Sequence, residues 1–339
     1  MWYLLVLLPF YLLAHSLEVL SFGGACADII IHVPESFLED YAIEKGGSQV
    51  VNETYFEKLR FASLFYPSEI HPGGSSCNTI RGLSRLNHKA AFIGKIGNDD
   101  VGEIFTKSLT RNYVNAILLM SEKPTMQVIS FVTPDGERTM RCLRGASNDL
   151  SGDDLDSELF HGIKLLHVDG YSLHDIAMTE KAMKLAKKEG AAVSLDLSSF
   201  EIIRKYRKEL MRIIPQYVDI LFCNEQEASE MTQKNPKEAA IELSTLAKIA
   251  IVCMGENGAY AAESGKSMYI GTTPLPIVDS TGAGDLFSAG FLHGFLSDVP
   301  LETAVRWGHL TGGAVIQIQG AEIPDSVWPI IHREMESVK

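Results

Sequence analysis

Apolar runs of strand length alternate with helix-period segments along most of the chain. VLSFGGACADIII, AAFIGKIG, KLLHVDG, AAVSLDL, VDILFCN and IAIVCMG read as buried strands. NTIRGLSRLN, DVGEIFTKSLTRN, DIAMTEKAMKLAKKEG, EQEASEMTQ and DLFSAGFLHGFLSD read as helices with one apolar side. Continuous apolar strands separated by helices predict an α/β fold: a doubly wound, mainly parallel sheet covered by helices on both faces. AYAAES and SMYIGTT predict a hairpin near the end of that series.

Two stretches break the rhythm, about 34–71 and 125–144, and both carry β-prone runs. The second contains Pro134-Asp135-Gly136, a hairpin turn. Together they predict a small β-lid across the carboxyl edge of the sheet, where open α/β sheets bind ligands and where a lid excludes water. Without internal repeats or low-complexity linkers, the expected organisation is one domain over 17–330, lid included, with a tail at 331–339.

A length of 339 residues, 46% hydrophobic, supports one large α/β core. The net charge of −13 disfavours nucleic acid and anionic lipid as partners, because both require a cationic footprint. Small anions are not excluded, since backbone N–H groups, a helix N-terminus and a metal ion hold them locally. The five cysteines, Cys26, Cys77, Cys142, Cys223 and Cys253, stand singly, which reads as reduced core residues rather than disulfides or a zinc site. The start, MWYLLVLLPFYLLAHS, is an apolar segment over 1–16, short for a membrane span and without a basic leader start. It reads as a leader or anchor, or as an unusual N-terminus joined to the first strand; the second reading carries a cytoplasmic expectation. Asn52-Glu53-Thr54 fits a glycosylation acceptor, which matters only in a secreted chain.

The sharpest chemical signal is Asp279-Ser280-Thr281-Gly282-Ala283-Gly284-Asp285 ahead of an apolar helix. A Gly-Ala-Gly turn that opens a helix points several N–H groups one way, at the positive end of the helix dipole, and so makes an anion hole. Asp285, in the first turn, then stands where it can take a proton from an attacking hydroxyl. The bland alternative is a glycine-rich cap with Asp285 complementing the dipole. A second glycine pair, Gly73-Gly74, precedes a helix bearing Asn78, which offers both a donor and an acceptor to a hydroxyl; a plain turn before a helix looks the same. Gly265-Lys266-Ser267 fails as a phosphate-binding P-loop because the required earlier glycine falls on Tyr260. The glycine pairs also miss the dinucleotide fingerprint.

These motifs, in order, resemble the ribokinase-like (PfkB) family of carbohydrate and nucleoside kinases over about 18–324. GGSSCNTIRGLSRLNHKAAFIGKIGNDDVG resembles its first signature and DSTGAGDLFSAGFLHGFL its second, with Asp28, GERT, Asn224-Glu225-Gln226-Glu227 and MGENGA between and before them. The resemblance implies that Asp28, at the end of the first strand, binds substrate hydroxyls with Gly73, Gly74 and Asn78. Asn224 and Glu227 form an N-x-x-E motif for magnesium and phosphate, through water, because Mg²⁺ keeps much of its shell. Asn224, Gly255, Gly258, Thr281 and His309 are implied at the nucleotide; His309 departs from the family pattern and has packing against Trp307 as its alternative. A monovalent cation such as K⁺ is implied near the loop from Asp279 and near Gly320.

The implied activity is transfer of the γ-phosphoryl group of ATP, with Mg²⁺, to a hydroxymethyl group of a sugar or nucleoside. Asp285 is the implied general base, with Gly282, Ala283 and Gly284 as the anion hole. The competing reading is a catalytically inactive ligand-binding or scaffold protein on the same fold. Arg138 and Arg141 stand in the lid hairpin either as closing residues or as exposed strand positions. Lid strands of this kind sometimes pair between subunits, so a homodimer is one of the assemblies the sequence leaves open.

Overall fold

The computed structural model describes residues 17–338, so the apolar segment 1–16 and the leader reading attached to it lie outside the described residues. The strands in chain order are β1 (Val19–Phe22), β2 (Cys26–His32), β3 (Ser48–Val50), β4 (Ser68–Gly73), β5 (Ala90–Ile96), β6 (Asn115–Met120) and β7 (Met126–Val132). They continue with β8 (Arg138–Leu143), β9 (Leu165–Asp169), β10 (Ala192–Asp196), β11 (Ile220–Asn224), β12 (Ile249–Cys253), β13 (Ala259–Glu263) and β14 (Lys266–Ile270). They form a nine-stranded sheet in the order β14-β13-β12-β11-β10-β9-β1-β5-β6 and a five-stranded sheet in the order β3-β8-β7-β2-β4.

In the large sheet every pairing from β12 to β6 is parallel, and β13 and β14 close one edge as the antiparallel hairpin that AYAAES and SMYIGTT predict. Helices cover both faces, and two apolar cores result. One packs Leu166, Val168, Leu195 and Leu221 against helices Ile176–Lys188 and Phe200–Tyr217; the other packs Phe92, Phe222 and Ile251 against Leu83, Phe291 and Trp307. Burial on both faces is why these strands read as unbroken apolar runs.

The first apolar run is two strands rather than one. It breaks at Gly23-Gly24, where β1 ends in the large sheet and the chain crosses to β2 in the small one. A Cβ on Gly23 would lie 2.8 Å from Ser76 Oγ, and one on Gly24 2.8 Å from Met126 Sδ, so side chains have no room at the crossing. The small sheet therefore takes in β2, outside the two irregular stretches. Within 34–71, the β-prone reading holds for the short β3 and the start of β4, and gives way elsewhere to helices Glu35–Asp40 and Glu53–Ala62. Asn52 caps the second helix by accepting the Tyr55 N–H at 2.9 Å. Phe37, Phe56 and Leu59 are buried with Ile29, Ile31, Ile129 and Phe131, so these helices close one face of the small sheet.

Among the described residues no helix is long and apolar enough to cross a membrane. All five cysteines are free.

Candidate active site

Three helices and the crossing strands bring the chemistry together. Helix Ala283–Leu296 begins at Gly282, whose φ of +76° is left-handed and whose Cβ, if present, would lie 2.6 Å from that of Ala321. Asp285 is in its first turn. Helix Ser75–Arg85 packs alongside at a glycine: a Cβ on Gly82 would meet that of Ala289 at 2.6 Å. At this separation Ser75 Oγ donates to Asp285 Oδ1 and Asn78 Nδ2 donates to Asp285 Oδ2, each at 2.7 Å. Thr79 Oγ1 donates to the backbone carbonyl of Asp285 at 3.1 Å. Burial pushes the Asp285 carboxyl up to about 6; the hydrogen bonds from Asn78 and Ser75 pull the other way, Asp169 adds to the rise, and Arg81 opposes it.

A cavity of about 270 Å³ opens above this carboxylate and brings together Gly282, Ala283, Gly284, Asp285, Asn224 and Glu227. The amides of helix positions Ala283, Gly284 and Asp285 have no intrahelical acceptor by geometry. That of Ala283 donates to Ser280 C=O at 3.2 Å, inside the turn. A Cβ on Gly284 would meet only open space.

Asp28, Gly73, Gly74 and Asn78 are outside this lining and connect to it through the Asn78–Asp285 hydrogen bond and through Ser75, which follows Gly74. Asp28 lies within β2 of the small sheet, paired with His71 and Val128, and not at the end of the first strand of the large sheet, because the run is broken at Gly23-Gly24. A Cβ on Gly73 would lie 2.9 Å from Asp28 Cγ. At Gly74, φ is +94° and a Cβ would lie 2.5 Å from the Gly24 carbonyl oxygen, so both glycines let Asp28 and the crossing approach the helix start. Burial raises Asp28 to about 6, Arg81 opposes the rise, and the charge of Asp285 adds to it, so the two carboxylates feel one another across the site. Asn78 is buried with both ends of its amide engaged: it donates to Asp285 and accepts from Arg81 Nη2.

Asn224 and Glu227 form a reciprocal cap on helix Glu225–Thr232. Asn224 Oδ1 accepts the Glu227 N–H at 2.9 Å, while the Glu227 carboxylate accepts the Asn224 N–H at 2.9 Å and Asn224 Nδ2 at 2.8 Å. Glu227 is buried, which raises it to about 7 against the pull of those Asn224 hydrogen bonds. Asp196, at the end of β10 and also lining the cavity, is held well above the usual carboxylate range by burial and by the charges of Glu227 and Asp285. Among the described residues no three His, Cys, Asp or Glu side chains converge closely enough to grip an ion directly.

The remaining predicted nucleotide residues lie outside the cavity lining. Gly255 and Gly258 are in the turn after β12 with φ of +54° and +78°; a Cβ on Gly258 would lie 2.9 Å from Gly271 Cα, whereas Gly255 faces open space. His309 packs its ring on Phe287 at 5.4 Å, and its Nε2 is buried without a partner, while Trp307 stacks on His293 at 4.9 Å. Burial lowers His309 to about 4, so its ring is neutral at pH 7. Thr281 Oγ1 accepts from Arg138 Nη1, and Arg138 Nη2 reaches Asp279 at 2.5 Å. Asp279 also accepts the Gly320 N–H at 3.0 Å, which joins the loop, the Gly320 segment and the small sheet. Arg138 thus faces the site. Arg141 is paired opposite Ile129 on the face the helices close, and its Nη1 donates to Met140 C=O.

Residues 68–328 match the model of the pfkB family of carbohydrate kinases. The chain belongs to that family. It is 31% identical to probable fructokinase-2 of Arabidopsis thaliana over 67% of this chain and 73% of that protein. Among solved structures it resembles a probable sugar kinase of Rhizobium etli CFN 42 at TM-score 0.87 and 30% identity, covering 96% of this chain and all (100%) of that one. It also resembles the adenosine kinase of Sinorhizobium meliloti at TM-score 0.85 and 32% identity, covering 94% and 99%. These neighbours fix the fold as ribokinase-like α/β and the chain as a kinase of the sugar and nucleoside class.

Several residues that shape the pfkB site escape a reading of motifs. Asp169, at the end of β9, is buried and accepts the Ser76 N–H at 3.0 Å and both the N–H and Oγ of Ser172 at 3.0 Å. Asp196 ends the neighbouring strand. Both close strand runs that the sequence shows, KLLHVD and AAVSLD, so an acid at a strand's carboxyl end was the available signal. Ser75 lay inside the glycine-rich segment. Arg81 carried no local signal, and although Arg138 and Asp279 each stand in a segment the sequence singles out, nothing local signals that they pair.

Proposed function

We propose that this kinase transfers the γ-phosphoryl group of ATP to a primary hydroxyl of a sugar or nucleoside, with Asp285 as the general base. The observation that carries the reading is the seating of Asp285: both oxygens are fixed by Ser75 and Asn78, at a helix N-terminus, on the floor of a cavity. A carboxylate so held keeps acceptor capacity on both oxygens, and Asp285 lines the cavity an acceptor hydroxyl would enter. Its elevated proton affinity, to about 6, leaves it ionised at pH 7 yet a better base than a solvated aspartate. The N–H groups of Gly284 and Asp285, with Gly282 and Ala283 shaping the turn, supply fixed donors where negative charge gathers. Asp28, across from Asp285, accepts hydrogen bonds from the diol of the acceptor, held there by the close approach that Gly73 and Gly74 allow.

Family membership implies ATP and magnesium. The donor set fits an ion held through water: Glu227, buried, and Asp196, half-buried, are acids lining one cavity, each raised in proton affinity, and a nearby dication would relieve that cost. Its charge would offset that of the phosphates, while Asn224 keeps Glu227 in place. Gly255, Gly258, Thr281 and His309 border the nucleotide in this reading.

The test is ADP release from Mg·ATP by purified protein against a panel of sugars and nucleosides, with and without K⁺. Acceptor-dependent release is expected, with Asp285→Asn slower by on the order of 10²–10⁴-fold. Folded protein that stays silent across the panel, or an Asp285→Asn variant that turns over normally, overturns the reading; the former outcome points to the ligand-binding alternative.

A further inference from the structure

Helix Ser75–Arg85 carries a buried arginine for which the proposed chemistry has no role. Arg81 is 3% exposed. Its Nη1 donates to Ser108 Oγ at 2.7 Å; its Nη2 donates to the Pro72 carbonyl at 3.1 Å and to Asn78 Oδ1. Glu322, from the segment after Gly320, lies 3.8 Å from Nη1 and is itself held by Ser108, Arg111 and Asn112. The guanidinium is therefore fixed from four sides, and one of its contacts leads straight to the base. By taking the oxygen of the Asn78 amide it forces the NH₂ end toward Asp285, because an amide presents its acceptor and donor at opposite ends.

We infer that Arg81 is a positioning residue for Asp285, acting through Asn78 to hold the carboxylate in the geometry and charge state a general base needs. The inference rests on the reading of Asp285 as that base.

The electrostatic surroundings agree with it. Facing Asp285 are the carboxyl groups of Asp28 from β2, Asp169 from β9 and Asp196 from β10, the phenol of Tyr171 and the thiol of Cys77. Arg81 is the cation that opposes this acidic field at Asp285, and it does the same at Asp28. Remove it and both carboxyls hold their protons to higher pH, while the Asn78 amide becomes free to turn.

The test replaces Arg81 with Met, and separately with Lys, and follows the Asp285 carboxyl carbon by NMR through a pH titration, together with kcat and KM against pH. In Arg81→Met the Asp285 midpoint is expected to rise by about one pH unit. The acid limb of kcat should move with it, and kcat at pH 7 should fall on the order of 10–100-fold. Arg81→Lys keeps the charge without the fork, so its midpoint should stay near wild type while the plateau of kcat falls. A purely structural Arg81 would lower the plateau of both variants and leave the midpoint unmoved, and that result overturns the inference. If Arg81→Met fails to fold, Arg81→Met/Glu322→Gln removes both charges and takes the same measurement. The titration needs no turnover, so it separates this inference from the reading beneath it: a moved midpoint in a protein whose Asp285→Asn variant stays active would keep the link between Arg81 and Asp285 and remove the base.

Discussion

Asp285 shows how one side chain is tuned by neighbours distant in sequence. Ser75 and Asn78 reach it from more than 200 positions away and hold its two oxygens at 2.7 Å. Its folded proton affinity, about 6, lies above the range near 3.9 of an unfolded aspartate. The folded chain thus binds the proton more tightly, and this group opposes folding at pH 7; the penalty fades as pH falls through 6 toward 4. Activity and stability should accordingly diverge. The acid limb of kcat should lie near pH 6, since the deprotonated form is the proposed base. Between pH 8 and pH 5 the wild-type Tm should rise relative to that of Asp285→Asn by about 1–2 °C. Comparing the two proteins cancels the opposite contribution of buried histidines such as His167 and His309, which burial holds at about 3 and 4. Calorimetry across that range checks it, and parallel Tm curves for the two proteins would contradict it.

Elements are placed by glycines as much as by apolar faces. Helix Ala283–Leu296 meets helix Leu301–Val315 at Gly290, where a Cβ would lie 2.8 Å from the Trp307 carbonyl carbon. Backbone cannot yield as a flexible side chain can. Gly290→Ala therefore should lower stability by about 1–3 kcal/mol, although alanine is the better helix former by about 1 kcal/mol. Urea unfolding measures the sign. Gly284→Ala is the contrast: its methyl would enter open space, so the midpoint of unfolding should not fall while turnover drops, because the methyl projects where the phosphoryl group is proposed to sit. The alternation of runs made most of these elements legible. The 34–71 stretch was not, because its short helices are selected by burial of Phe37, Phe56 and Leu59 against the small sheet and by the Asn52 cap rather than by a long periodic face.

At the scale of the whole molecule, the small sheet is tied to the loop that follows the large sheet by Arg138, whose guanidinium links β8 to Asp279 and Thr281 just ahead of the Gly-Ala-Gly turn. Asp279 stays below the usual carboxylate range: the N–H groups of Thr281 and Gly320 and the charge of Arg138 outweigh its burial. Arg138→Met should leave both sheets folded and speed amide exchange at Thr281 and Gly320 by about tenfold, as expected from losing one charged hydrogen-bonding partner. Exchange that stays at the wild-type rate in both segments would show that the loop holds itself. Taken by itself, the sequence determined what local spacing can encode: the parallel α/β sheet, the helix-opening Gly-Ala-Gly-Asp turn with Asp285, the Asn224-x-x-Glu227 motif and the family to which they belong. Only the tertiary structure decided that Asp28 sits in the small sheet, that Asn78 faces Asp285, and that Arg81, Asp169, Asp196 and Arg138 surround them. Those facts depend on where the chain leaves one sheet for the other and on contacts between segments such as Ser75 and Asp285, 210 residues apart. A local pattern records which face of an element is apolar, but not which distant element that face will meet.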